Sequence, residues 1–138
     1  MFRRLISLMA VALLLCMGGS ALGTTYYVSP DGSDLNSGTS PTDAWQSIDK
    51  VNDVSFGDGD NIFFECGGTF SGSLYFDATD GGTITAPLTV GSYVGNYGSD
   101  RPTISSGDAD GIHVRNRAAF VIQDLSFVGT ARLDKGFQ

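Results

Sequence analysis

From Asn61 onward, short apolar stretches alternate with turn formers. Ile62, Phe64 and Cys66 take every second position, as do Leu74 and Phe76, Leu88 and Val90, Ile112 and Val114, and Phe120 and Ile122. Alternation with a period of two, bounded by Gly, Asp, Ser and Asn, predicts short strands with one face buried. Leu125 and Phe127 follow the polar pair Gln123-Asp124, which reads as a bend between two strands, and Ile104 stands in Pro-Thr-Ile-Ser. Tyr26 to Ser29 is a further β-prone run that stops at Pro30.

One stretch departs from this texture. Ser40-Pro41 supplies a capping residue followed by a proline suited to a first helical turn. Asp43 follows where a negative charge suits the helix dipole. Trp45, Ile48 and Val51 then recur at i, i+3 and i+6, which predicts a short helix over 42–52 with one apolar face. The segment before it, from Asp31 to Ser40, is almost wholly turn formers and reads as a loop.

The spacing of the strands suggests stacking. The pairs Ile62/Phe64, Leu88/Val90 and Ile112/Val114 recur at steps of 26 and 24 residues, and Ile104 to Leu125 is 21. Recurrence on this scale marks a repeat-built architecture. An antiparallel sandwich of regular short strands would give a similar rhythm.

The start of the chain adds a destination. Arg3 and Arg4 precede the apolar run Leu5 to Met17, and small residues follow, with Ala21 and Gly23 flanking Leu22. That is the three-part pattern of a secretory signal over residues 1 to 23, cut before Thr24. The apolar run of 13 residues is short of the roughly 20 that span a bilayer. The expectation is a secreted or extracytoplasmic protein, with no membrane association after cleavage. Loss of the two arginines takes the net charge from −7 to −9. Such a surface argues against nucleic acid and anionic membranes. Of the 15 acids only Glu65 is a glutamate; the rest are turn-forming aspartates. Cys16 leaves with the signal, so Cys66 has no partner for an intrachain disulfide. It sits among apolar residues, as a buried thiol does.

Thr25 to Asp34 (Thr-Tyr-Tyr-Val-Ser-Pro-Asp-Gly-Ser-Asp), with Asn36 to Pro41 and Trp45, resembles the N-terminal segment of secreted right-handed parallel β-helix proteins, the pectate-lyase-like group. Gly57-Asp58-Gly59-Asp60-Asn61-Ile62-Phe63-Phe64 resembles the step into their first coil, and Gly67-Gly68-Thr69-Phe70 continues it. Phe120 to Phe127 resembles a later coil. The resemblance covers essentially all of 24–138. It implies an all-β right-handed parallel β-helix, its first coils covered by a short capping α-helix and preceded by a signal peptide. The implied division is 1–23 signal, 24–60 strand, loop and capping helix, and 61–138 first coils, cut short of the usual number. It further implies a polysaccharide lyase or hydrolase whose active site lies mostly beyond residue 138, with Ca²⁺ as a cofactor of the longer protein. The different expectation is a non-catalytic, glycan-binding or adhesive scaffold, because fold does not fix activity.

Candidate chemistry is sparse. No cofactor motif is evident and no catalytic residue stands out. Asp31 and Asp34 with Asn36 form one oxygen-rich loop, and Asp108 and Asp110 form another. Neither fits the twelve-residue calcium loop, and turn chemistry accounts for both, so they are weak metal candidates. His113 is the single histidine and lacks a second ligand at metal spacing. Arg115 and Arg117 near it would suit an acidic glycan, or are ordinary solvated side chains. Tyr75, Tyr93 and Tyr97 would stack on sugar rings, or serve as sheet residues. A coil stack open at its last strand exposes Ile122, Leu125 and Phe127, so self-association is expected.

Overall fold

The computed structural model describes residues 22–115 and 119–129. Most of the stretch expected to be an export signal, Arg117 and the stretch from Lys135 to Gln138 lie outside the described residues. Among the described residues there are nine strands: β1 (Thr25–Val28), β2 (Asn61–Glu65), β3 (Thr69–Ser71), β4 (Leu74–Phe76), β5 (Leu88–Tyr93), β6 (Thr103–Gly107), β7 (Ile112–Val114), β8 (Phe120–Ile122) and β9 (Ser126–Gly129). They form three sheets, in the orders β1-β2-β5-β8, β3-β6-β9 and β4-β7. Every pairing between these strands is parallel, which removes the sandwich. The chain visits the three sheets in turn through β2, β3 and β4, then repeats the visit one rung further on through β5, β6 and β7. The winding is β-helix-like, and the protein is all-β with very little helix.

Alternation explains which side chains go inside. Ile62 lies beside Val90, Phe70 beside Ile104, and Leu74 beside Ile112. Each of Ile62, Phe64, Leu74, Phe76, Leu88, Val90 and Ile104 is essentially fully buried. Every such side chain contributes roughly 1.5–3 kcal/mol through area removed from water. Cys66 is buried and free. At the bend after β8, Asp124 takes a φ of 55°, so the chain turns sharply between Ile122 and Ser126.

The repeat expectation holds in kind and fails in register. Thr25 pairs with Asn61, Asn61 with Thr89 and Val90 with Ile122, steps of 36, 28 and 32 residues. Ile112 and Val114 pair with Leu74 and Phe76, in a different sheet from Leu88 and Val90. Ile104 pairs with Phe127 rather than Leu125. Each full coil carries three strands with similar apolar pairs, so spacing alone matched one face of a coil with another. Turn lengths also differ from coil to coil.

The predicted helix is broken in two. A 3₁₀ turn covers Pro41–Asp43, and α1 spans only Ile48–Asn52. Ser40 makes no side-chain capping bond, whereas the Ser47 hydroxyl accepts from the Lys50 amide. Between them Trp45 is extended and bridges Val28 in parallel. Trp45, Ile48 and Val51 are nevertheless all buried in one core with Val28, Phe56 and Phe64. The helical spacing therefore found the right side chains with the wrong backbone, because a strand-like bridge aims Trp45 inward as well as a helix would.

Candidate functional site

A cleft of about 410 Å³ opens between the loop after β1 and the turn after β5, lined in part by Ser29, Asp31, Asn36, Glu65, Tyr93 and Asn96. β2 places Glu65 at its base. Strand alternation sends this side chain away from the apolar interior, yet it is only 3% exposed. The turn after β5 folds over it, and the Asn96 amide donates to Oε1. Gly95 passes so close that a Cβ there would lie 2.1 Å from Oε1, so glycine is needed for the turn to close on the carboxylate. The Tyr93 hydroxyl donates to Oε2 at 3.5 Å, and its ring meets Tyr27 edge-on at 5.2 Å. Burial first, then the negative charge of Glu65, push the Tyr93 phenol up to about 12, while a bond with the Ser29 hydroxyl pulls the other way. At neutral pH the phenol keeps its proton and the carboxylate keeps its donor. At the rim, a hydrogen bond to Asp31, then partial desolvation and nearby negative charge, hold the Tyr97 phenol above its ordinary value.

A second surface lies on the outward face of β4 and β7. Tyr75 and His113 are register partners, with rings 5.8 Å apart. The Arg115 guanidinium sits 5.6 Å from the Tyr75 ring centre, and His113 Nε2 lies 3.2 Å from an Asp110 oxygen. Parallel pairing thus gathers Tyr75, His113 and Arg115 into one patch, whereas Tyr93 lines the cleft and Tyr97 stands at its rim. Arg117 lies outside the described residues.

The aspartates expected to be weak metal candidates do not converge. Asp34 accepts from the amides of Gln46 and Ser47 and from the Ser47 hydroxyl, at 2.7–2.9 Å. Desolvation raises its carboxyl, but those bonds and the charge of Lys50 outweigh it and leave the carboxyl below its ordinary value. Asp34 thereby holds the entry to α1. Asp31 turns to Tyr97, Asp110 to His113, and Asp108 is exposed on the same turn as Asp110. Among the described residues no three His, Cys, Asp or Glu side chains come together as a metal cage. Glu65 was not singled out by sequence, although its being the sole glutamate, one step out of phase with Phe64 and Cys66, was a usable signal.

No family model matches the chain. A curated lacto-N-biosidase from Bifidobacterium longum subsp. longum is 38% identical over 92 residues. That match covers 64% of this chain and 6% of the enzyme, so the chain spans a small part of the relative's length. Among solved structures, a GH136 lacto-N-biosidase from Eubacterium ramulus superposes with a TM-score of 0.68 at 20% identity, over 82% of this chain and 22% of that one. A rhamnogalacturonan lyase follows at 0.55 and 21%, over 76% of this chain and 28% of that one. The chain shares their fold.

Proposed function

We propose that residues from Thr24 onward form the first coils of an exported, right-handed parallel β-helix that acts on glycans. In this reading the stretch seals one end of the coil stack and offers the Glu65 cleft to neutral sugar residues. The observation that carries the proposal is the 38% identity with a lacto-N-biosidase, on a fold shared with two kinds of carbohydrate-active enzyme. Right-handed winding follows from the near-universal hand of parallel crossovers. Export rests on the leader of residues 1 to 23 and its cut before Thr24.

The chemistry of the cleft favours neutral sugars over uronates. Asp31 and Glu65 would repel a polyanion, while carboxylates, phenols and amides exchange hydrogen bonds with sugar hydroxyls. The cleft's carboxylates are already engaged by Tyr97, Tyr93 and Asn96, which suits binding better than bond cleavage. Hydrolysis is therefore assigned to coils of a longer protein.

Titration of the chain with a neutral oligosaccharide bearing a lacto-N-biose unit, and separately with oligogalacturonate, tests this by NMR. Shifts confined to the cleft with the neutral sugar alone, reduced by Asp31→Ala, are expected. A preference for oligogalacturonate, or no shift at the cleft, would overturn the sugar assignment. Release of new reducing ends by the chain itself would overturn the placing of the chemistry elsewhere.

A further inference from the structure

Asp60 ends the turn that leads into β2. Its Oδ2 accepts from the Gly57 amide at 2.8 Å and closes the turn. Its Oδ1 is left to accept from the backbone nitrogen of Thr24 at 2.7 Å. Thr24 is fixed from the other side, since its carbonyl accepts from the Asn61 amide at 2.8 Å. The turn is itself anchored to the next rung through Gly59 to Ala86 and Thr89 to Asp60. The residue before Thr24 has almost no room, because a Cβ on Gly23 would lie 1.8 Å from the Gly59 carbonyl oxygen.

We propose that Asp60 is the receptor for a new amino terminus: once the chain is cut before Thr24, the Thr24 α-ammonium pairs with Oδ1 and locks the first rung. The proposal rests on the export reading above. Cleavage turns a neutral amide donor into a charged one, removes crowded Gly23 and leaves the nitrogen where it already lies. The carboxylate already makes this bond charge-assisted, and a charged donor adds a full ion pair to it. The charged groups of the turn are Asp58 and Asp60, and the stretch of the next rung against it, Ala86 to Thr89, carries none. Among these described neighbours the only charges are negative, which lifts the pKa of the ammonium above the ordinary value of about 7.7–8.0. A raised pKa gives stability that is fully present below the unfolded value and is lost as pH rises through the folded one.

The test uses the chain released from a fusion so that it begins at Thr24, the same chain acetylated at that nitrogen, and the free chain carrying Asp60→Asn. An NMR titration should find the Thr24 amine raised by about half a unit to one unit, and back at its ordinary value in Asp60→Asn. The ratio of folding constants, free over acetylated, should fall roughly three- to tenfold between about pH 6 and about pH 10. An amine titrating alike with and without the substitution overturns the proposal. If Asp60→Asn does not fold, a free-to-acetylated ratio independent of pH overturns it instead. N-terminal sequencing of exported protein separates the two layers, because a start other than Thr24 overturns the cleavage reading and not the amine pairing.

Discussion

Trp45 lies flat on Tyr26, with ring centroids 4.8 Å apart and planes 18° from parallel. Tyr26 is on the first strand and Trp45 comes from the loop that returns over it, so the stack closes the end of the coil. The indole N–H donates to the Asn36 carbonyl at 3.1 Å, which ties the turn-rich loop to the same lid. Trp45→Ala should cost about 3–5 kcal/mol, as large aromatic truncations in cores do. Urea unfolding followed by circular dichroism measures it. An unchanged midpoint would mean that the lid carries no part of the core.

Glu65 and the turn over it should behave as one unit. Glu65→Ala leaves the Asn96 amide without its acceptor in a closed site and should cost about 1–3 kcal/mol. Glu65→Gln keeps an acceptor and should cost less, yet removes the charge that adds to burial in raising Tyr93. In the parent protein, Tyr93 keeps its proton up to about pH 12, while an unfolded tyrosine loses it near pH 10. Stability should therefore fall as pH rises between those values. That slope should shrink in Glu65→Gln, and ultraviolet-monitored tyrosine titration alongside thermal melts reads both.

Asp34 gives the opposite sign. Its carboxyl titrates below the ordinary value in the folded chain. The stability it supplies is thus present above the unfolded value near pH 3.8 and is lost as pH falls through the folded one. Asp34→Asn keeps one acceptor for Ser47 and should flatten this acid limb of the stability curve. An unchanged limb would show that Asp34 does not hold the entry to α1.

The last described coil should be adhesive. Among the described residues β8 pairs only with β5, and β9 only with β6, while Ile122 and Phe127 are about two-fifths exposed. Open parallel edges with apolar faces recruit further strands. Purified residues 24–138 should associate, more so as salt screens the net negative charge. Phe127→Lys should suppress it, and light scattering against ionic strength is the measurement. A monomer at high salt and high concentration would show that this edge is not adhesive.

Much of the fold was legible because burial follows alternation. Ile62, Phe64, Leu88 and Val90 announced an inward face, and Gln123-Asp124 announced the bend that Asp124 makes with its positive φ. Register was not legible, since it is set by turn lengths that apolar spacing does not encode, and three faces of one coil look alike in sequence. The cleft was hidden for a related reason. Glu65 and Asn96 are 31 positions apart and meet only because β2 and β5 stack. Tyr75, His113 and Arg115 were each visible as candidates, but their meeting depends on β4 pairing with β7. Trp45 shows the limit from the other side: its burial was foreseen and its backbone was not.

The unequal coils have a consequence for variation. Strands that add in parallel sit about 4.8 Å apart whatever length of chain runs between them. The stack therefore works as a ruler, with evenly spaced rungs and corners of free length. Residues inserted at the corner between β5 and β6, where Val94 already stands exposed, would lengthen a projecting arm without moving any rung. A second arm one coil away would stand one rung further along the axis. A linear polymer laid along that axis would meet the same chemistry at a fixed interval, and its reading could be retuned at the corners alone.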